Sequence, residues 1–177
     1  MGIHHTIRRG VVVISVIAAA ACRAEATRSP AEDAYRALKR IAGATAIGVN
    51  KQNYDALLQD AAGEVFILKD LAVTTADSTV LRYYVSAVEK YKDAGALWSE
   101  QIDDARYDWM PKRRIMLPES ALAARYNLPT TNHKMPYTGT EYQTVPQESI
   151  QKIWTIAEST ADSANSLLLP QLRRRVR

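Results

Sequence analysis

From Val80 to Ile102 apolar side chains return every three or four positions, at Val80, Leu81, Tyr84, Val85, Val88, Tyr91, Leu97, Trp98 and Ile102. That is the period of an α-helix, and a stripe this long must be covered by other elements. Two shorter stripes precede it. One runs through Ala34, Tyr35, Leu38, Ile41, Ala42 and Thr45, the other through Tyr54, Leu57, Leu58, Ala61, Val65, Leu68 and Leu71. A fourth, Ile150, Ile153, Trp154, Ala157, Ala161, Ala164, Leu167 and Leu168, lies near the end of the chain. No stretch alternates with period two for long. The spacing therefore predicts an all-α fold, an antiparallel helical bundle of about four long helices plus one short helix and a long loop.

The punctuation agrees with these stripes. Ser29-Pro30-Ala31-Glu32 reads as a capping box, with Pro at the first helical position, where its missing N–H costs nothing. Gly48 marks a stop, Asn50 caps the next helix, and Thr74-Thr75-Ala76-Asp77 breaks the pattern again. Gly95 inside the longest stripe costs about 1 kcal/mol relative to Ala, which predicts close helix packing or a bend. Pro118 opens a short helix to about Tyr126, with Asn127 as its stop and Pro129 beyond. Residues 128–145, holding Pro129, Pro136 and Gly139, read as a long irregular loop. Pro146 is expected to open the last helix and Pro170 to end it.

The N-terminus carries an address. Arg8 and Arg9 precede an apolar run, Val11 to Ala21, which ends at the only cysteine of the 177 residues, Cys22. A charged start, an apolar stretch too short to span a bilayer, and small residues before a cut are the parts of an export signal. The chain then divides into a signal peptide (1–22), a tether (23–29), a helical domain (30–170) and a basic tail (171–177). Two routes of processing fit the residues, cleavage and lipidation at Cys22 and cleavage after Ala24-Glu25-Ala26; twin-arginine export at Arg8-Arg9 is a third reading, but the residues around that pair fit its pattern poorly. With a single cysteine, no intramolecular disulfide can form.

Ala19-Ala20-Ala21-Cys22 resembles the lipobox of bacterial lipoproteins, departing from it at Ala19, where Leu is usual. Gly48-Val49-Asn50 followed by Tyr54, then Tyr91, Asp93-Ala94-Gly95 and Trp98, resembles a group of small bacterial exported proteins of unknown function. That second resemblance covers roughly residues 34–102. It implies a helical fold and a place in the bacterial cell envelope, periplasmic or lipid-anchored at the outer membrane, or else secreted. It implies no activity.

Charge narrows the partners. The formal net charge of +4 is more than accounted for by Arg8, Arg9 and the tail arginines Arg173, Arg174, Arg175 and Arg177, so the body is slightly acidic. A basic balance confined to the ends does not point to nucleic acid. The tail reads as a frayed, solvated terminus, or alternatively as a contact for anionic lipid or cell-wall polymer.

Cofactor and catalytic signatures are missing from the sequence. His133 is the only histidine beyond the signal, read as a solvated loop residue. Di-iron Glu-x-x-His pairs, Cys/His zinc sets and haem-attachment motifs do not occur, so no cofactor is expected. There is no Gly-x-Ser-x-Gly and no glycine-rich phosphate loop. Asp60 with Glu64, and Glu100 with Asp104, read as solvated helix faces. The remaining candidate is a mixture of cations and rings, Arg106, Tyr107, Trp109, Lys112, Arg113 and Arg114, with Tyr126, Tyr137 and Tyr142 nearby. This composition suits an anionic or carbohydrate-like ligand or a protein interface. The same rings could instead pin an irregular segment to the bundle. The expectation is a non-catalytic envelope module, either lipid-anchored through Cys22 or periplasmic, that meets an envelope protein or an anionic envelope polymer. An all-helical periplasmic enzyme and a structural stalk or adaptor are the alternatives.

Overall fold

A computed structural model describes residues 29–72 and 75–175, without the side chains of 75–77 and 169–175. In chain order the elements are α1 (Pro30–Ile47), α2 (Lys51–Leu71), α3 (Thr75–Asp104), β1 (Arg114–Met116), α4 (Ser120–Tyr126), β2 (Thr131–Lys134), β3 (Glu141–Pro146) and α5 (Ser149–Arg175). The fold is mostly helical, but it is not all-α, because three strands form an antiparallel sheet in the order β1-β3-β2.

Helix starts follow local chemistry. The Ser29 side chain accepts from the Glu32 N–H, and the Glu32 carboxylate accepts from the Ser29 N–H, closing the capping box that the sequence predicts. Asn50 Oδ1 accepts from the Asn53 N–H at 2.8 Å and opens α2. Gly48, between the two helices, has φ +96°, a conformation that costs a residue with a Cβ. At the end of α4, Asn127 takes the left-handed conformation, and its N–H and that of Leu128 close the last turn.

α3 packs most extensively on α5, α1 on α2, and α2 on α3. Tyr35 and Lys39 of α1 meet Asp162 and Glu158 of α5, so these two helices run in opposite directions. One buried cluster spans α1, α2, α3 and α5 and is rich in alanine: Ala34, Ala37, Ala61, Ala87, Ala157, Ala161 and Ala164 are all essentially inaccessible. Small side chains let the helix backbones approach closely. A second cluster joins Ala94 and Leu97 of α3 to Ile115, Leu122, Val145, Ile150 and Ile153. Trp98 and Trp154 pack against both clusters. Among the described residues, every buried member of the two clusters lies between Ala31 and Leu168, within a chain that begins at Arg23.

Where the clusters meet, Tyr54 is fully buried. Its hydroxyl donates to the Tyr91 carbonyl at 2.6 Å and receives the Trp154 indole N–H at 3.1 Å. Trp98 and Trp154 stand edge-on to each other with centroids 5.5 Å apart, and Trp98 stands edge-on to Tyr54. A Cβ at Gly95 would lie 3.0 Å from Tyr54 Cε1, which is the close packing predicted for that glycine.

Several expectations are corrected. Residues 128–145 are not an irregular loop: they hold β2 and most of β3, joined by a turn in which the Met135 N–H donates to the Thr140 carbonyl and Gly139 has φ +69°. Each strand buries at most one or two side chains, so hardly any apolar alternation reaches the sequence. Pro146 closes β3 rather than opening a helix, and α5 starts at Ser149. Pro170 does not end α5, whose backbone continues to Arg175. Leu71, Val85, Ile102 and Leu167, assigned to buried stripes, are exposed. Among the described residues, no helix is long and apolar enough to cross a membrane.

Candidate functional site

The strand register sorts the sheet into two faces. Ile115 pairs with Val145, and both are fully buried on the face turned to the helices. Arg114 and Met116 of β1, Tyr142 and Thr144 of β3, and Thr131 and His133 of β2 share the other face. Here the chain places its aromatic and basic candidates.

Thr144 is the hub of that face, a fully buried hydroxyl in the central strand. Its Oγ1 accepts from Arg114 Nε at 3.0 Å and lies 3.0 Å from His133 Nε2. Arg114 Nη2 also donates to the Thr144 carbonyl at 3.1 Å and to Thr131 Oγ1 at 2.5 Å. One guanidinium thus ties the three strands together across their outer face. Beside this polar hub the rings form a row. His133 stacks on Tyr142 with centroids 5.3 Å apart, Trp109 stands edge-on to Tyr142 at 5.6 Å, and Tyr107 lies 5.4 Å from Trp109. Tyr107 is half exposed, while Trp109, Tyr142 and His133 are part-buried.

The flanks are charged. Arg106 pairs with Asp103 at 3.4 Å and Arg113 with Glu148 at 2.9 Å, both in the open, and Lys112 is exposed. Arg113 has φ +62°, a left-handed residue at the entrance to β1, and its carbonyl accepts from the Gln147 N–H. Tyr107, Lys112, Arg113 and Arg114 line a groove of about 350 Å³ together with Asp104 and Gln147. Asp104 is buried, not on a solvated face as the sequence suggests: its Oδ2 accepts the Met116 N–H at 2.6 Å and fastens β1 to the end of α3. Burial pushes its carboxyl above the usual range, and the Met116 hydrogen bond partly opposes that.

Two candidates lie elsewhere. Tyr126 is buried on α4, and its hydroxyl donates to Asp93 Oδ2 at 2.7 Å, where Arg125 Nη1 also donates at 2.6 Å. This trio borders a broad groove of about 850 Å³ with Ser86, Lys90, Lys92 and Asn127. Burial lowers the Lys90 ammonium pKa, and Lys90 Nζ donates to Ser86 Oγ at 2.5 Å. Tyr137 is 92% exposed in the β2–β3 turn, apart from the row. Cys22 lies outside the described residues.

The structure therefore brings together Tyr107, Trp109, Arg114 and Tyr142, with Lys112 and Arg113 at their edge. It adds His133, Thr131 and Thr144, which sequence reasoning passed over. His133 is a strand residue stacked on a ring, not a solvated loop histidine. A signal for it existed in Gly139 between two short segments, a hairpin cue, but the mostly polar strands of four and six residues gave it no support. The chain matches no protein-family model, no curated protein and no solved structure.

Proposed function

We propose that this chain is an exported bacterial envelope protein, tethered by a lipid at Cys22, whose helices form an antiparallel bundle presenting a non-catalytic binding face for an anionic envelope polymer. The observation that carries the reading is the row Tyr107, Trp109, Tyr142 and His133 beside Lys112 and Arg113. Partly open rings stack on the apolar faces of sugar units, and neighbouring cations meet carboxylate or phosphate groups. Arg114 has Nε and Nη2 engaged within the sheet, which holds the platform rigid.

Position supports the same reading. The Tyr35–Asp162 contact places Pro30 level with residue 167 or so on α5. From there to Ser149, beside the sheet, is about 27 Å of helix. Pro30, where α1 begins, and the ring row thus belong to opposite ends, an arrangement suited to a face held away from a membrane. The test is co-sedimentation with isolated cell-wall polymer. Trp109→Ala with Tyr142→Ala should lose most of the binding while the melting temperature stays close to that of the parent. Undiminished binding by that variant sinks the proposal, and binding to an envelope protein in its place would favour an adaptor.

A periplasmic enzyme is the second reading, favoured by the charged groove around Lys90, Asp93, Arg125 and Tyr126. It gains ground if Asp93→Asn, but not Trp109→Ala, abolishes the activity of the chain in its host.

A further inference from the structure

We infer that the end of the molecule where α1 begins is a docking surface for an anionic lipid bilayer, carried by Phe66, Ile67 and Leu71 of α2 and by the basic C-terminal turns of α5. Phe66 is 61% exposed, Ile67 49% and Leu71 55%, three large apolar side chains within six residues of a helix that buries Val65 and Leu68 in the same stretch. Core packing does not require them there.

Their height along the molecule singles them out. Arg40 of α1 pairs with Asp60 of α2, and the two helices are joined through residues 48–50, so they run in opposite directions. Ten residues further along each helix, Pro30 and Asp70 stand level, about 15 Å from that pair. Leu71 is thus at the extremity from which the chain leads back to Cys22. The six residues 23–28 between Cys22 and Ser29 reach at most about 25 Å. The Tyr35–Asp162 contact puts Leu167, also exposed, at the same level on α5. The backbone of α5 continues past it to residues 173–175, all arginine, about 9–12 Å further on.

Charge decides between a bilayer and a second copy of the chain. Lys69 is exposed among the apolar three, and the α5 backbone carries residues 173–175, all arginine, past the same extremity. Its acids include Asp33, Asp70 and Glu32, the last of which is turned into the capping box. Two copies meeting through this end would bring their arginine-rich tails together, whereas an anionic membrane surface attracts them. Apolar side chains entering the headgroup boundary beside basic ones are the usual composition of an interfacial contact. The inference takes from the proposed function only that the chain reaches the envelope.

The test uses the chain from Arg23 to Arg177, which lacks Cys22 and therefore reports nothing about lipidation. It should co-sediment with phosphatidylglycerol/phosphatidylethanolamine vesicles, more weakly as salt rises, and poorly with phosphatidylcholine. Phe66→Ser/Ile67→Ser/Leu71→Ser should lower the partition coefficient by about tenfold or more with helix content unchanged. Removing residues 173–177 should weaken binding and flatten its salt dependence. A second measurement covers the case of a triple variant that misfolds. In Phe66→Trp, brominated lipid should quench the new tryptophan and spare Trp98, Trp109 and Trp154, all of which lie toward the sheet. Equal binding by a folded triple variant, an unquenched residue 66, or concentration-dependent dimers without vesicle binding would each overturn the inference. Vesicle binding by this chain together with soluble fractionation of the full chain would keep the docking surface and remove the lipid anchor.

Discussion

The helical end and the sheet end of this molecule are held by different forces. Around α1 and the C-terminal half of α5, burial comes from alanines and tyrosine rings, and two phenol groups, Tyr84 and Tyr91, sit in the core with no hydrogen-bond partner among the described residues. At the sheet end the buried polar groups are paired: Thr144 with Arg114 and His133, Asp104 with the Met116 N–H. The first region is specified by close packing, which tolerates a lost hydrogen bond if the area gained is large enough. The second has little apolar surface per strand and depends on polar groups finding each other. Mutations should therefore carry opposite signatures at the two ends.

The strongest test removes what the two ends share. Tyr54 lies between the clusters, bonded to Tyr91 and Trp154 and pressed against Gly95. Tyr54→Ala should cost about 3–5 kcal/mol, the range for deleting a large buried ring. Because Trp98 and Trp154 pack on both clusters, the loss should appear as one earlier urea transition for the whole domain. Two separated transitions would show that the ends fold independently and that the tyrosine couples nothing.

A smaller loss is expected at the sheet. Thr144→Val keeps the volume and removes the hydroxyl, leaving Arg114 Nε and His133 without their shared partner. The cost should be about 1–3 kcal/mol, read from the denaturation midpoint. The same change should weaken the proposed polymer binding through loss of the stacked His133–Tyr142 geometry. A neutral result would mean that strand pairing alone orders the ring row.

At the helical end the sign reverses. Tyr84→Phe deletes an unpaired buried hydroxyl and should stabilise the domain by about 1 kcal/mol. A loss of stability would reveal a partner for that hydroxyl, such as an ordered water.

This contrast also explains what could be read in advance. The four stripes predicted α1, α2, α3 and α5 because a helix repeats its buried face locally, every three or four residues, and Ser29 and Asn50 announced their own helix starts. Gly95 was legible too, since a glycine inside a stripe needs a neighbour such as Tyr54 to justify it. The sheet was not legible. Thr131 to Lys134 and Glu141 to Pro146 bury only Thr144 and Val145 deeply, and the partner of Val145 is Ile115, thirty positions away in sequence. Of the candidate site, Tyr107, Trp109 and Arg114 showed through composition. His133 and Thr144 did not, because their meaning depends on strand register, which composition does not carry.

The smallest effect expected is one of pH, and it distinguishes the junction of the two ends from either end alone. Burial raises the carboxyls of Asp104 and Glu100 above their ordinary values, with neighbouring acids adding to the rise at both. A raised carboxyl binds its proton more tightly folded than unfolded, so folding is favoured below the unfolded value of about 4. That advantage is lost as pH rises through the folded values of these groups. Lowering the pH from neutral towards that window should therefore raise the melting temperature slightly, in contrast to a domain limited by paired carboxylates. In Asp104→Asn the side-chain oxygen can still accept the Met116 N–H, but one titrating group is gone. The variant should gain stability at neutral pH and show a flatter melting-temperature profile from there down to about 4. An unchanged slope would move the pH dependence away from the α3–β1 junction and leave Glu100, on the preceding turn of α3, as its source.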